Sequence, residues 1–132
     1  MEGSGNLPSK KAQESRIKKY LKKNNKIIII DSYREVATTF ACILKKNGYT
    51  ADTAQTCKEA TEKTDIIHYA IAIIDAELSG STRILLKLAK TKTIKIVITD
   101  FPEEAILNGA DACLRKVIKP KEFLFLIKKM LK

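Results

Sequence analysis

Short apolar runs rich in β-branched residues recur along this chain, and three of them stop at a polar side chain. The three runs end at Asp31, Asp75 and Thr99, and the first consists of four consecutive isoleucines. Runs of this length and composition are typical of strands buried on both faces, as in a parallel sheet. Ligands of open parallel sheets bind outside the carboxyl ends of the strands. We therefore expect the three polar side chains to meet at one sheet edge and to form a small polar site.

Helical patterns separate these apolar runs. Together the patterns predict strands at 26–30, 49–54, 69–74, 93–98 and 112–117, and helices at 33–47, 56–64, 83–90, 102–107 and 120–131. Strands that alternate with helices in this way form a sheet with helices on both faces, and right-handed crossovers make it doubly wound. The predicted fold class is therefore α/β, with a doubly wound, five-stranded parallel sheet flanked by helices.

Helical spacing and capping residues add detail to the predicted helices. The inward-facing positions of the first and last of these helices are Val36, Ala37, Phe40, Ile43 and Leu44, and Phe123, Leu124, Ile127 and Leu131. Gly48 is suited to end the first helix as a C-cap. Thr56 and Glu59 have the spacing of a capping box at the start of the second.

The chain divides into a basic extension and a domain. We predict that residues 1–25 form a flexible leader and a basic helix, which Ser9 caps and which runs from Lys10 to Lys23. Residues 26–132 form the folded domain. A chain of 132 residues is long enough for a single domain of this kind.

The basic charge lies at the two ends of the chain. The formal net charge is +10. Residues 1–25 hold seven basic and two acidic side chains, residues 115–132 hold seven and one, and residues 26–114 hold eleven and twelve. Basic ends favour an acidic partner, nucleic acid or a membrane surface, although they also serve solubility alone.

Several protein classes are excluded by what the sequence lacks. No apolar stretch approaches the roughly 20 residues of a membrane helix, and no secretory signal begins the chain, so no membrane span and a cytoplasmic location are expected. The three widely spaced cysteines are expected to be reduced thiols. No glycine-rich nucleotide motif follows a strand. The one histidine, His68, precedes a strand, which argues against histidine-based catalysis.

The polar residues at the predicted sheet edge suit phosphoryl chemistry. A carboxylate at a strand end can serve as a nucleophile, and magnesium prefers oxygen ligands and bridges to phosphoryl oxygens. Asp31 and Asp75 are therefore candidate ligands of one magnesium ion, and Thr99 is a candidate hydrogen-bond partner of a phosphoryl oxygen. Lys116, near the end of the fifth strand, supplies a cation on the remaining side.

With these residues the chain resembles the receiver domains of two-component response regulators, which have a flavodoxin-like fold. The resemblance covers about 26–132. It is clearest at residues 26–32, which are similar to the family's first strand and acidic pair, and at residues 108–116, which are similar to its Gly-Ala-Asp segment and the lysine that follows. That match assigns the lysine to Lys116 and not to Lys119.

The resemblance implies a role for each residue of the predicted site. Asp75 would accept a phosphoryl group from a histidine kinase with magnesium present. Lys116 would contact the phosphoryl oxygens, and Thr99 would be the switch hydroxyl. Asp31, Asp75 and the backbone carbonyl of Glu77 would bind the metal. The face formed by the fourth helix, the fifth strand and the last helix would then change its partners, a downstream protein or a second copy of the chain.

The sequence also departs from the family's pattern. Ser32 stands in place of the second acid of the pair, so we expect magnesium binding to be weakened or absent. Cys113 stands where an aromatic switch residue is usual, and the loop after Asp75 lacks the usual proline. The stretch from Thr99 to Lys116 is shorter than usual by more than one helical turn, which shortens the fourth helix. The signalling face is therefore the most altered part.

Three hypotheses about function follow. The leading one is a stand-alone, atypical receiver domain that accepts a phosphoryl group on Asp75 and signals by protein–protein contact, with no enzymatic activity beyond its own phosphorylation and dephosphorylation. The second is a pseudo-receiver, a scaffold or dimerisation module that ignores phosphate. The third is a nucleic-acid-binding protein that uses its basic ends, although the few aromatic residues and the lack of a reader motif argue against it. The sequence does not specify the kinase, the output partner or the oligomeric state.

Overall fold

The computed structural model describes residues 9–13 and 24–132, and this part of the chain contains a parallel sheet of five strands. The strands are β1 (Lys26–Ile30), β2 (Thr50–Ala54), β3 (Ile71–Asp75), β4 (Ile94–Ile98) and β5 (Ala112–Leu114). The helices that alternate with them are α1 (Arg34–Lys46), α2 (Cys57–Ile66), α3 (Ser81–Leu88), α4 (Pro102–Leu107) and α5 (Pro120–Met130). The strand order β2-β1-β3-β4-β5, with every pair parallel, confirms the predicted doubly wound α/β fold class.

Helices cover both faces of the sheet, so the strands are buried on both sides. One core cluster joins α1 and α5 to alternate strand residues, and its helical members include Phe40, Leu44, Phe123 and Ile127. The Phe40 and Phe123 rings lie 4.7 Å apart between centroids. The second cluster joins α2, α3 and α4 to the other strand residues through Ala60, Ile84, Leu85, Leu88 and Ala105. The four isoleucines of β1 divide between the two clusters, which explains why the run has no polar alternation.

Two predicted strands extend at least two residues further than the observed ones, whereas the other strand boundaries agree to within one residue. Tyr69 lies before β3, not in it. Its ring is buried in the second core cluster, and its hydroxyl donates a hydrogen bond to Asp52 Oδ2 at 2.6 Å. The predicted strand at 112–117 ends at Leu114. β5 is an edge strand with β4 as its partner, and the backbone N–H of Thr99 bonds to the Leu114 carbonyl at 2.8 Å, where the ladder finishes. Residues beyond that point have no strand to pair with.

The inward face of α1 is narrower than helical spacing predicts. Ala37, Phe40, Ala41 and Leu44 are buried. Val36 was predicted to face inward, but 39% of its surface is exposed, because it lies at the border of this stripe near the helix start. Its side chain instead lines a cavity at the carboxyl edge of the sheet.

The predicted caps are confirmed in the described residues. Gly48 has a φ of +89°, and the N–H groups of Gly48 and Tyr49 bond to the carbonyls of Lys45 and Leu44, which satisfies the end of α1. The Thr56 hydroxyl accepts a hydrogen bond from the N–H of Glu59 at 3.0 Å.

The basic extension is described only in part. Residues 10–13 are helical, and the Ser9 hydroxyl accepts a hydrogen bond from the N–H of Ala12 at 3.1 Å, as expected of a cap. The remainder of the predicted leader and helix, residues 1–8 and 14–23, lies outside the described residues.

Candidate functional site

The three polar residues predicted at strand ends meet at the carboxyl edge of the sheet. Asp75 ends β3, and Asp31 and Thr99 directly follow β1 and β4. Because Ile30 pairs with Ile74 and Asp75 pairs with Ile98, the three residues lie on three adjacent strands. The chain runs from β1 to β2 on one side and continues with β3 on the other, so Asp31 and Asp75 flank the topological switch point of the sheet.

Each of these side chains is held by the loop that follows it. The backbone N–H groups of Tyr33, Glu77 and Phe101 donate to Asp31 Oδ1, Asp75 Oδ1 and Thr99 Oγ1 at 2.9, 3.0 and 2.9 Å. In every case the donor lies two residues beyond the acceptor. Asp and Thr side chains commonly form this short turn with their own backbone after a strand. One oxygen of each carboxylate is thus fixed, while its second oxygen accepts no hydrogen bond from the described residues.

Both carboxylates are buried, and burial raises the pKa of each. Asp31 and Asp75 are 3% and 4% exposed. For Asp31, burial is opposed by the hydrogen bond from Tyr33, while the nearby charge of Asp75 raises its pKa further and Lys116 lowers it. For Asp75, burial raises the pKa and the positive charge of Lys116 lowers it. The site therefore concentrates negative charge that water solvates poorly, which disfavours the ionised carboxylates. A cation bound there would stabilise their ionised form.

Lys116 reaches this edge, and its ammonium group pairs with an acid that the sequence did not indicate as its partner. It follows β5, and its side chain is 37% exposed. Its Nζ forms an ion pair with the carboxylate of Glu77, and it still lies near enough to Asp31 and Asp75 to lower the pKa of both. The Glu77 side chain, which sequence analysis left without a firm role, therefore holds the lysine at the mouth of the site.

Two cavities open beside these residues. One of about 220 Å³ is lined by Asp31, Asp75 and Lys116, with Tyr33 and Phe40 of the α1 region forming an apolar wall. The other, of about 200 Å³, lies between α3 and α4 and is lined in part by Glu77, Ser81, Thr99, Glu104 and Lys116. Sequence analysis missed the apolar wall, although the position of Tyr33, two residues after Asp31, was a signal for it.

The oxygen atoms at this edge suit a hard cation that keeps water molecules or phosphate oxygens among its ligands. No group of three or more His, Cys, Asp or Glu side chains placed for a metal occurs among the described residues. Asp31 and Asp75 offer two carboxylates, whereas Ser32 is exposed and neutral. Magnesium is commonly held by one or two carboxylates together with waters and phosphate oxygens, so the buried pair fits this ion.

Two of the other departures noted in the sequence are visible in the structure. α4 is six residues long, as predicted. Cys113 is partly buried, its Sγ lies 3.7 Å from the carbonyl oxygen of Pro102, and burial raises the pKa of its thiol. A small thiol thus packs at this position against the start of α4. No helix in the described residues is long and apolar enough to cross a membrane.

No family model matches the chain. Among curated proteins it is similar to the regulatory protein VanR of Enterococcus faecium, with 29% identity over 117 residues that cover 83% of this chain and 51% of that protein. The chain thus spans about half the length of this relative.

Solved structures also resemble the chain. A response regulator receiver domain protein (CheY-like) from Methanospirillum hungatei is 26% identical with a TM-score of 0.72, covering 82% of this chain and 94% of that one. A two-component response regulator from Clostridium difficile is 22% identical with a TM-score of 0.76, covering 82% and 96%. The response regulator TrrA from Thermotoga maritima, solved in complex with Mg2+ and BeF, is 22% identical with a TM-score of 0.72, covering 80% and 98%.

Proposed function

We propose that this chain, which is a response regulator receiver domain, accepts a phosphoryl group on Asp75. Receiver domains are in general signalling modules and not enzymes, so the expected chemistry is limited to phosphorylation and dephosphorylation of this one side chain. The proposal concerns the described domain, because the chain covers about half of the curated relative.

The observation that carries the proposal is the convergence of four groups at the carboxyl edge of the sheet. Asp75 lines the cavity of about 220 Å³, and its second carboxylate oxygen accepts no hydrogen bond from the described residues. Asp31 lies on the neighbouring strand, Thr99 on the other side, and Lys116 at the mouth. A nucleophile, a candidate metal ligand, a hydroxyl donor and a cation are the groups that phosphoryl transfer requires.

In the proposed step, an ionised oxygen of Asp75 attacks the phosphorus atom of the donor. The bond between phosphorus and the donor's nitrogen or bridging oxygen breaks, and the donor leaves with that electron pair. Asp75 then carries an acyl phosphate, which water later hydrolyses to the carboxylate and inorganic phosphate. Lys116 Nζ balances charge on the phosphoryl oxygens, and the Thr99 hydroxyl donates a hydrogen bond to one of them.

Magnesium is the cofactor that fits this site. Asp31, Asp75 and the backbone carbonyl of Glu77 are the proposed ligands. When bound, the ion neutralises charge on the transferring phosphoryl group. Because Ser32 contributes no charge, we propose that magnesium binds more weakly here than at a site with two adjacent acids. This neutral position is the reason to regard the domain as an atypical receiver.

Lys116 has to leave Glu77 before it can contact a phosphoryl group on Asp75. The ion pair is partly exposed, with 37% of the lysine and 67% of the glutamate side chain accessible, and exposed pairs contribute only about 0–1 kcal/mol. A phosphoryl group carries more charge than a carboxylate, so it competes well for the ammonium group. The pair is therefore weak enough for a phosphoryl group on Asp75 to displace it.

The direct test is phosphorylation by a small donor. The purified chain is incubated with acetyl phosphate or phosphoramidate and magnesium, and the intact mass is measured. We expect the mass of one phosphoryl group to be gained, and the gain to disappear in Asp75→Asn. Asp100→Asn is the matched control, because Asp100 is an exposed carboxylate at the same sheet edge. The absence of any gain across a range of metal ions and donors would contradict the proposal.

A second candidate function is a pseudo-receiver that binds a partner without phosphate. It is favoured by the ion pair between Lys116 and Glu77, which neutralises the lysine in the absence of a phosphoryl group, and by the neutral Ser32. Its output would be contact with a downstream protein or a second copy of the chain. Self-association that is the same in wild type, Asp75→Asn and Asp75→Glu would support it, whereas a response to any of these changes would support the phosphorylated receiver.

The partners follow from the same proposal. A histidine kinase is the proposed phosphoryl donor, and the output surface is the face around α4, β5 and α5. We propose that residues 26–132 form one receiver domain and that residues 1–25 are a basic extension of it. The third hypothesis, nucleic-acid binding through the basic ends, predicts a DNA complex that persists at moderate salt and is lost when residues 1–25 are deleted.

A further inference from the structure

A second cavity lies at the opposite edge of the sheet, far from the phosphoryl site. It occupies about 530 Å³ where the strands begin and where α5 ends, and its lining includes Asn24, Tyr49, His68, Lys92 and Lys128. Small-molecule sites in proteins commonly measure about 300–1,000 Å³. The cavity is therefore large enough for a ligand, and none of the proposed receiver chemistry uses it.

The rim of this cavity is built by two asparagines. Asn24 Nδ2 donates a hydrogen bond to the carbonyl oxygen of His68 at 3.1 Å, and Asn25 Nδ2 donates one to the carbonyl oxygen of Gly48 at 2.9 Å. These bonds tie the segment before β1 to the loops before β3 and β2. A rim fixed in this way forms the cavity before a ligand arrives, which lowers the entropic cost of binding.

The charge of the lining is of one sign. Lys92 and Lys128 line the cavity, and neither forms an ion pair in the described part of the chain. No Asp or Glu side chain belongs to the lining among residues 9–13 and 24–132. Lys132 also lines the cavity. Unpaired ammonium groups around a concave surface attract anions.

The helix macrodipole does not account for both lysines. Lys128 lies in the last turn of α5, where a basic residue is favourable for the helix itself. Lys92 lies four residues beyond the end of α3 and gains little from that helix. Its ammonium group is therefore not engaged by that helix and is available to an anionic ligand in the cavity.

The floor of the cavity is apolar. Tyr49, Ile94 and Leu131 contribute to it, and each is only partly buried by the protein. An inorganic ion would leave this surface against water. A ligand that also carries an aromatic or aliphatic group would cover it, with a gain of about 25 cal/mol per Å² of apolar surface removed from water.

We propose that this cavity binds a small organic anion, in which a phosphate or carboxylate group is joined to an aromatic or apolar body. The anion lies between Lys92 and Lys128, and the apolar body lies on the floor near Tyr49. Because the cavity is at the edge opposite Asp75, binding does not require phosphorylation, and the Asp75→Asn variant binds as wild type does.

Four probes separate the parts of such a ligand. Phenyl phosphate and benzoate share a ring and differ in the anion, inorganic phosphate lacks the ring, and benzyl alcohol lacks the charge. Each is titrated into the full chain, and backbone amide chemical shifts are followed by NMR. We expect phenyl phosphate, benzoate or both to shift the amides of Ala70, Ile94 and Leu131 in a saturable way. A saturable shift with phenyl phosphate alone identifies a phosphate ligand, and one with benzoate alone identifies a carboxylate ligand. Saturable shifts with both identify aromatic anions in general.

Matched lysine variants test where the anion lies. Lys92→Gln and Lys128→Gln are each expected to weaken binding by roughly threefold or more, since each removes one partly exposed charge contact. Lys45→Gln and Lys46→Gln remove the same charge at the same edge but outside the cavity lining, and should leave affinity unchanged. Equal weakening by both pairs, equal affinity for phenyl phosphate and inorganic phosphate, or no saturable shift with either aromatic anion would each overturn the proposal.

Discussion

At the scale of single residues, Ser32 is the position that most sets the properties of the site. It is exposed beside a buried carboxylate pair that lacks a third acid. Because hard-cation affinity rises with the charge of the ligands, Ser32→Asp is expected to raise magnesium affinity by roughly tenfold or more. The reason is that charges about 4 Å apart interact by about 4 kcal/mol at an effective dielectric constant of 20.

The measurement is a magnesium titration followed by the amide signals of Tyr33 and Glu77, the groups that donate to the two carboxylates. Thr38→Asp adds the same charge at an exposed position of α1 and serves as the control. An unchanged affinity in Ser32→Asp would show that the neutral residue is not what limits metal binding.

Asp75 itself is expected to cost the metal-free protein stability at neutral pH. Burial raises its pKa above the ordinary value of 3.8, so the folded state holds a proton that the unfolded state releases as the pH rises. The tighter proton binding by the folded state stabilises the protein fully below pH 3.8, the ordinary pKa. This stabilisation is lost as the pH rises through the pKa of Asp75 in the folded state. Asp75→Asn removes the charge, and its amide oxygen can still accept the N–H of Glu77.

We therefore expect Asp75→Asn to raise the free energy of unfolding at pH 7 by on the order of 1 kcal/mol, and to have little effect below about pH 3.8. Urea unfolding without magnesium at several pH values measures this difference. Asp100→Asn, at an exposed position, should have no such effect. A gain in stability that grew as the pH fell would contradict the assignment.

At the scale of secondary-structure elements, the loop between β3 and α3 is fixed by a close approach to α2. Gly80 has a φ of +87°, and an added Cβ would lie 2.9 Å from both the Cβ and the Sγ of Cys57. Gly48 has a nearly equal φ of +89°, but nothing lies within 4 Å of its added Cβ. The two glycines therefore separate backbone strain from steric contact.

Gly48→Ala is expected to destabilise the protein by about 1–2 kcal/mol through its left-handed backbone alone. Gly80→Ala should cost more, because α2 must also move away from the new methyl group. Urea unfolding of both variants gives the comparison, and Gly80→Ala combined with Cys57→Gly should recover the additional loss. Equal destabilisation by the two single variants would mean that Cys57 moves away from the added methyl group at little cost in free energy.

The elements also show which features sequence patterns determine. Asp31, Asp75 and Thr99 were placed correctly because each closes a short run of apolar, mostly β-branched residues, and such runs are typical of strands buried on both faces. Tyr69 misled the prediction because its apolar ring resembles a strand residue, while its hydroxyl is paired outside the strand. Glu77 and Lys116 are 39 positions apart. Their pairing depends on side-chain conformations at the loop tips, which no local pattern encodes.

At the scale of the whole molecule, apolar side chains remain uncovered around one end of the sheet. Leu107 ends α4, Val117 follows β5 and Phe125 lies on α5, and they are 87%, 96% and 70% exposed. They belong to the face that the sequence resemblance assigns to signalling, which α4 covers with only six residues. Large exposed apolar side chains on a protein surface are typical of protein–protein contact sites, and this face is the proposed site of a homodimer.

We expect the chain to self-associate through this face when magnesium and beryllofluoride mimic the phosphorylated state, and sedimentation velocity measures the association. Phe125→Lys should abolish it, because burying an unpaired charge in an interface costs several kcal/mol. Ile66→Lys is the matched control, since Ile66 is 85% exposed at the end of α2, on the opposite side of the sheet from α5. A dimer that survives Phe125→Lys, or that Ile66→Lys weakens equally, would place the contact elsewhere. A dimer that forms equally without beryllofluoride would instead favour the phosphate-independent scaffold, because the uncovered surface would then associate whatever the state of Asp75.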